Sequence, residues 1–141
     1  VIPQPLWASI GYTVGALLGA ALADRKRRSI LCVGDGSFQL TAQELSTMIR
    51  HKLTPIIFLL NNDGYTIERV IHGAKMVYND VQPWRYAELP KIFGDNVFTA
   101  VVETDKNQLC FIELKLGRED CPETLRKLGA ACEAKNKGLS L

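Results

Sequence analysis

The chain has 141 residues, of which 47% are hydrophobic and 23% charged, and its formal net charge is +2. This length suits one domain with a sizeable core, and the composition excludes an intrinsically disordered chain. The mild charge gives no reason to expect a nucleic-acid partner.

The first predicted element is an apolar helix over residues 9–23. The segment 6–23 contains 18 uncharged residues, the lower limit for a membrane span, but a strand pattern resumes six residues later without a second span. Gly11, Gly15 and Gly19 recur every four residues, which predicts close packing of this helix against another element. We therefore predict a buried helix of a water-soluble fold rather than a membrane span.

The rest of the chain alternates between apolar strands and helices. Strands are predicted over 29–33, 56–60, 98–102 and 110–116, and helices over 39–51, 66–72, 84–93 (interrupted at Pro90) and from Pro122 onwards. Continuous apolar strands separated by helices predict a doubly wound α/β fold, whose mainly parallel sheet carries helices on both faces. We expect this fold to be a single domain over residues 1–141.

The four cysteines and two histidines give no sign of a zinc site. No two cysteines have a C-x-x-C spacing, and neither histidine is spaced for metal binding. Cys32 and Cys110 fall inside apolar strands, so we expect buried free thiols in a reducing compartment.

Polar residues follow the first two buried strands. Asp35 lies between two glycines directly after the first strand, and Asn61 and Asn62 follow the second. In open α/β sheets ligands bind at the carboxyl ends of the strands, where two such ends can converge. Gly36 and Ser37 precede a helix, whose free N–H groups suit a phosphate. A carboxylate, an amide oxygen and a bound diphosphate form the oxygen set that Mg²⁺ prefers, although each fragment alone is also a good turn.

These motifs together resemble the signature of thiamine diphosphate-dependent enzymes. The sequence GDG at 34–36 is followed after 24 residues by the Asn pair at 61–62. The longer stretches 34–50 and 61–73 are similar to the pyruvate decarboxylase branch, which includes the indolepyruvate decarboxylases. The resemblance is specific from about Trp7 to Gly94 and loose in the C-terminal part.

The resemblance implies a set of site residues. Mg²⁺ would be held by Asp35, Asn62 and the Gly64 carbonyl, and the diphosphate by Gly36 and Ser37. The remaining cofactor contacts implied are those of the segment WASIG, namely Ala8, Ser9 and Ile10, and of the run Asn62, Asp63, Gly64, Tyr65, Thr66 and Ile67. Ile10 would be the apolar wedge that holds the cofactor bent, and Ala8 stands where close relatives are expected to have glycine.

Glu68 is the residue that the resemblance assigns to catalysis, where it assists decarboxylation and proton transfer. A carboxyl group among Ile67, Ile71 and the cofactor is expected to have a raised pKa, as suits an acid near neutral pH. The alternative for Glu68 is a helix-surface ion pair with His72, four residues later.

The implied activity is non-oxidative decarboxylation of a small 2-oxo acid, most simply pyruvate to acetaldehyde and carbon dioxide, with thiamine diphosphate and Mg²⁺. In the family another domain, upstream, supplies further catalytic groups and the active site forms between subunits. We therefore expect a cytoplasmic homodimer or homotetramer in the full-length form, no membrane or nucleic-acid partner, and an inactive, association-prone isolated chain. The alternatives are another thiamine diphosphate activity, such as acetolactate synthesis, and a non-catalytic assembly or regulatory module.

The connection between the last two predicted strands is unusually short. Only residues 103–109 separate them, whereas a parallel crossover needs about a dozen residues and usually a helix. Either these two strands pair antiparallel, or a helix has been deleted relative to the family.

Overall fold

The computed structural model describes residues 1–3, 6–94, 97–99 and 108–138. The α-helices are α1 (Tyr12–Ala23), α2 (Asp35–Gln39), α3 (Glu44–Arg50), α4 (Thr66–His72), α5 (Leu89–Phe93) and α6 (Glu123–Asn136). The strands are β1 (Ile30–Gly34), β2 (Ile56–Asn61), β3 (Val97–Thr99) and β4 (Leu109–Lys115). The alternation of strands and helices confirms the predicted α/β class.

The strands form one sheet in the order β1-β2-β4-β3. β1 and β2 are parallel, with Ile30 opposite Ile56 and Gly34 opposite Leu60. β3 and β4 are also parallel, so the antiparallel alternative for the last two strands is wrong. The hypothesis of a deleted helix falls largely on residues 100–107, which lie outside the described residues.

The described residues fall into two compact units, and each is described by itself. The first contains Val1–Asn61 and Trp84–Leu114, and the second contains Asn62–Pro83 and Lys115–Leu141. That residues 1–141 are a single cofactor-binding domain stays a prediction.

The core of the first unit lies between the sheet and its helices. Val14, Leu17 and Ala21 recur along one face of α1 and are buried. The Phe38 ring packs against the ring of Phe111, with centroids 5.4 Å apart. Burial of this apolar face of α1 in the core explains why the segment 6–23 is as apolar as a membrane span. In the part of the chain that the structure describes, no helix has the length and apolar character to cross a membrane.

The glycines of the N-terminal segment do not share one role. Gly11 precedes α1 with a φ of +88°, and a Cβ there would lie 3.0 Å from Leu40 Cβ. A Cβ on Gly15 or Gly19 would meet nothing within 4 Å. Within the described part of this chain these two glycines pack against no other element, because the buried face of α1 is the one that carries Val14 and Leu17. That their face packs against another domain or subunit stays a prediction.

Two predicted helices begin elsewhere than expected. The segment predicted as one helix over 39–51 is instead α2, which starts directly at Asp35, followed by a break and α3. The interrupted helix predicted over 84–93 is a 3-10 turn, Tyr86–Glu88, that leads directly into α5. Pro90 lies in the first turn of α5, where its missing N–H has no intrahelical partner.

The cysteines are all free, but only Cys110 is fully buried. Cys32 is exposed, against our expectation, because exposed and buried residues alternate along β1 and Cys32 lies on the exposed face. Leu31 and Val33 take the buried positions of that alternation.

Helices α4 and α6 pack together in the second unit around Gly129. A Cβ on Gly129 would overlap Val70 Cγ1 and lie 3.2 Å from the Val70 carbonyl oxygen. We expect Gly129→Ala to lower the free energy of unfolding by about 1–3 kcal/mol, the usual cost of overpacking. Urea unfolding of the full-length protein measures the change.

The exposed neighbour Ala130 provides the matched control for this prediction. Ala130→Gly tests helix propensity alone at an open site and should cost about 1 kcal/mol. If Gly129→Ala were to raise stability by that same amount, the tight contact between the two helices would be contradicted.

Candidate functional site

Asp35 follows β1 directly and is 1% exposed. Its Oδ1 accepts a hydrogen bond of 2.8 Å from the backbone N–H of Gly36. Gly34 is extended (φ −72°, ψ 154°), so the chain passes from strand to helix within one residue. This sharp turn brings a buried carboxylate to the carboxyl end of the strand, as the sequence predicted.

Ser37 links this strand end to the N-terminal segment within the first unit. Its Oγ accepts a hydrogen bond of 2.8 Å from the Gly11 N–H, and Thr41 Oγ1 donates to the Gly11 carbonyl at 2.8 Å. Two of the predicted cofactor-binding segments, 8–10 and 36–37, are therefore neighbours. The sequence reasoning missed the role of Gly11, which it assigned only to the glycine stripe.

Ala8 adopts a left-handed backbone conformation with a φ of +46°. Such a φ favours glycine, the residue expected here in close relatives, so alanine is accommodated with strain. Ile10 is 48% exposed, and Ser9 is exposed beside it.

The turn after β2 begins the second unit. Asn62 Nδ2 donates to Thr66 Oγ1 at 2.7 Å, which ties the turn to the first residue of α4. Asp63 has a φ of +57° and Gly64 a φ of +124°, and a Cβ on Gly64 would overlap the Asn79 carbonyl oxygen. Only glycine fits at position 64. The Tyr65 N–H donates to that same Asn79 oxygen at 2.9 Å.

Asn61 does not share the role of its neighbour Asn62. Its Nδ2 donates to Glu113 Oε1 on β4 at 2.6 Å, within the first unit. The sequence alone does not separate the two adjacent asparagines, because the partner of Asn61 lies 52 residues away.

Arg69 is the main residue that sequence reasoning missed. Its side chain is 3% exposed, and Nη2 lies 2.8 Å from Asp80 Oδ1. The guanidinium also donates to backbone carbonyls of Asn62, Asp63, Asn79 and Arg118. A basic residue in the segment TIERVIH looks like a helix-surface residue, and nothing local in the sequence signals its burial.

Glu68 lies on α4 with its side chain 38% exposed. Its Oε2 is 3.3 Å from His72 Nε2, which is the ion pair considered as the alternative from the sequence. Glu68 therefore has a partner one turn away that orients its carboxyl group. Its catalytic role stays a prediction.

Asp80 joins two arginines of the second unit. Its Oδ1 accepts hydrogen bonds from Arg69 Nη2 and Arg118 Nη2, at 2.8 and 2.7 Å. The hydrogen bond from Arg69, followed by the nearby charges of both arginines, lowers the pKa of Asp80 below its ordinary value of 3.8.

This lowered pKa predicts an acid-sensitive contribution to stability. The carboxylate stabilises the fold above pH 3.8, and that contribution disappears as the pH falls through the lowered pKa. We expect Asp80→Asn to be less stable than the parent near neutral pH and to lose this part of the acid dependence. Urea unfolding between about pH 2.5 and 6 measures it.

Asp120→Asn is the control, because Asp120 is an exposed carboxylate of the same unit. It should differ little from the parent in urea unfolding near neutral pH. If the difference between the parent and Asp80→Asn were the same at every pH, titration of Asp80 would not be its cause.

Each unit by itself offers oxygen donors of the kind that Mg²⁺ prefers. Asp35 offers a carboxylate at a strand end, and the turn at 62–64 offers an amide and a backbone carbonyl. No group of three or more His, Cys, Asp or Glu side chains suited to a metal occurs among the described residues. A set with one carboxylate suits Mg²⁺ bound together with a diphosphate, since the phosphates and water supply the remaining oxygens.

The match to known proteins identifies the class of domain. Residues 1–111 match the family model described as the thiamine pyrophosphate enzyme, C-terminal TPP binding domain. The chain belongs to this family of thiamine diphosphate-binding domains. Thiamine diphosphate is therefore its cofactor, and Mg²⁺ is the usual partner metal in this family.

Pyruvate decarboxylases are among its relatives. The chain is 48% identical to the pyruvate decarboxylase of Aspergillus fumigatus, with 96% of this chain and 27% of the relative aligned. It is 47% identical to pyruvate decarboxylase isozyme 1 of Saccharomyces cerevisiae, with 95% of this chain and 28% of that relative aligned. It is 42% identical to the alpha-keto-acid decarboxylase of Mycobacterium leprae, with 96% of this chain and 26% of that relative aligned. The chain thus spans little more than a quarter of these relatives.

The alignment bears on the short connection between β3 and β4. It extends over 155 residues with the Aspergillus protein, against 141 residues in this chain. The relative therefore carries residues that have no counterpart here. This agrees with a deletion, without placing it at 103–109.

Proposed function

We propose that the full-length protein performs non-oxidative decarboxylation of a 2-oxo acid, with pyruvate as substrate and acetaldehyde and carbon dioxide as products. This chain is its cofactor-binding portion. The observation that carries the proposal is the alignment of 96% of the chain with a pyruvate decarboxylase at 48% identity. The alpha-keto-acid decarboxylase relative supports the same substrate class.

In this proposal Asp35, Asn62 and the Gly64 carbonyl hold Mg²⁺, and Gly36 and Ser37 hold the diphosphate. The other cofactor contacts are Ala8, Ser9, Ile10, Asp63, Tyr65, Thr66 and Ile67. Burial of Asp35 and the link between Ser37 and Gly11 support this assignment in the first unit. The glycine-only turn at position 64 supports it in the second.

The protein's own groups position the reactants and move a proton. The bound cofactor supplies the electron sink for loss of carbon dioxide. The Glu68 carboxyl group delivers a proton to the carbon that becomes the aldehyde carbon. His72 Nε2, 3.3 Å from Glu68 Oε2, orients that carboxyl group from one turn along the helix.

The partners follow from the same proposal. The substrate is a small 2-oxo acid, and the full-length protein is a cytoplasmic homodimer or homotetramer without a nucleic-acid or membrane partner. Glu68 favours decarboxylation over acetolactate synthesis, since proton delivery ends the reaction at the aldehyde. A non-catalytic assembly module has no need for Asp35, Asn62 and Glu68 together.

The experiment is an assay of the full-length protein with pyruvate, saturating thiamine diphosphate and Mg²⁺. We expect acetaldehyde and carbon dioxide in equal amounts, with loss of both after removal of the metal. Acetolactate as the main product would support the other enzyme class, and no product from the folded, cofactor-loaded protein would support the assembly module.

The 141-residue chain assayed alone is expected to form no acetaldehyde and to scatter light as a species larger than a monomer. The reason is that the proposed active site includes another domain, while Tyr12 and Leu22 of α1 are partly exposed apolar residues. A monodisperse monomer that decarboxylates pyruvate would contradict this expectation.

A further inference from the structure

The buried guanidinium of Arg69 lies behind the turn at 62–64. It approaches five oxygen acceptors of the second unit, four of them backbone carbonyls. The two that matter most belong to Asn62, at 3.3 Å from Nη1, and to Asp63, which accepts from Nη2. These carbonyls belong to the two successive peptide groups, 62–63 and 63–64, that lead into Gly64.

Because a trans peptide group is planar, its N–H points away from its carbonyl. With the carbonyls of Asn62 and Asp63 turned toward Arg69, the N–H groups of Asp63 and Gly64 face away from the guanidinium. Arg69 therefore sets the orientation of two successive peptide groups. Asp63 has a positive φ of +57°, which costs a non-glycine residue free energy, so hydrogen bonds from outside the turn help to hold this conformation.

The third peptide group of the turn depends on the same arginine through Asn79. The Asn79 carbonyl accepts from the Tyr65 N–H at 2.9 Å and from Arg69 Nη2 at 3.4 Å. Since the Tyr65 N–H faces Asn79, the Gly64 carbonyl in the same peptide group faces the opposite way. Arg69 thus acts on all three peptide groups between Asn62 and Tyr65.

We infer that Arg69 is a positioning residue for Mg²⁺: it orients the Gly64 carbonyl through Asn79, and it fixes the backbone of Asn62, from which the side-chain amide extends. The inference rests on the proposed function, in which these two groups are metal ligands. Residues that orient metal ligands in this way typically change metal affinity by about 10–100-fold when replaced. A guanidinium suits the task because it presents five donors in a fixed plane, whereas a lysine ammonium has three.

The test is a Mg²⁺ titration of the full-length apoprotein by calorimetry, at saturating thiamine diphosphate and at a temperature where every variant is folded. Arg69→Met keeps the length of the side chain and removes its donors. We expect its dissociation constant for Mg²⁺ to rise by about 10-fold or more. Arg69→Lys retains the charge and some donors, and should fall between the parent and Arg69→Met.

Arg118→Met is the matched control. Arg118 also binds Asp80, at 2.7 Å, and its Nε lies 3.9 Å from Asp63 Oδ2, but its side chain is 54% exposed and its guanidinium contacts these carboxylates rather than the turn carbonyls. The Mg²⁺ dissociation constant of Arg118→Met should lie within about 2-fold of that of the parent. If Arg69 contributed only to general stability, the dissociation constants of Arg69→Met and Arg118→Met would change in proportion to the loss of melting temperature in each variant.

The outcomes separate this inference from the proposed function. A parent protein that fails to bind Mg²⁺ and thiamine diphosphate would overturn the proposed function itself. A parent that binds them, with an unchanged Mg²⁺ dissociation constant in Arg69→Met, would overturn only the role of Arg69. If Arg69→Met does not fold, an unchanged constant in Arg69→Lys overturns that role.

Discussion

Replacing Asp35 by alanine is expected to abolish the Mg²⁺ requirement for thiamine diphosphate binding together with most of the affinity. Asp35 is the only carboxylate in the proposed metal set. The residue is 1% exposed, so its position is determined by the surrounding protein. Loss of a direct ligand should weaken binding at least as much as loss of a residue behind one, about 100-fold. Calorimetry on the full-length protein, with and without Mg²⁺, measures the change.

Two variants separate loss of the ligand from loss of structure. Asp35→Asn retains an oxygen that can accept the Gly36 N–H, so it should fold as the parent does while still binding Mg²⁺ poorly. Asp24→Ala removes a half-exposed carboxylate of the same unit and should bind as the parent does. Unchanged cofactor affinity in Asp35→Ala would refute the proposed metal site.

Replacing Glu68 by glutamine is expected to slow turnover by roughly 10²-fold or more while cofactor binding stays nearly unchanged. The substitution keeps the size of the side chain and removes the proton that the carboxyl group would deliver. With its side chain 38% exposed and paired with His72, Glu68 is not part of the core, so little loss of stability is expected. Acetaldehyde formation from pyruvate, with cofactor affinity in parallel, measures the effect.

Glu88→Gln makes the same chemical change at an exposed glutamate that is paired with Arg85 at 3.3 Å. It should leave turnover as it is in the parent. If Glu68→Gln and Glu88→Gln formed acetaldehyde equally fast, Glu68 would have no part in the reaction. Its role would then be limited to the ion pair with His72.

Local patterns in the sequence were sufficient for the order of elements and for the position of Asp35. Apolar runs of strand length separated by amphipathic segments indicate a parallel α/β sheet, because each run must be covered on its faces. The aspartate between two glycines directly after such a run indicates a ligand-binding strand end. These features depend on near neighbours in the chain, and the match over residues 1–111 confirms the family that they indicated.

Pairing and exposure could not be predicted with the same success. The parallel arrangement of β3 and β4 contradicts the antiparallel alternative that the short connection suggested. Cys32 is exposed because alternate residues of β1 lie on opposite faces of the strand and its face is the exposed one. Neither the strand direction nor the exposed face is encoded in the composition of the strands. Both are decided by how the strands pair and pack when the chain folds.

The sequence by itself therefore determined the fold class, the family and the residues proposed to meet the cofactor. Only the tertiary structure decided how those residues are held. Arg69 is buried because carbonyl and carboxylate groups from positions 62–63, 79–80 and 118 converge on its guanidinium and replace the water that it loses. Those groups are separated by up to 49 residues from Arg69 along the chain, and only folding brings them within hydrogen-bonding distance.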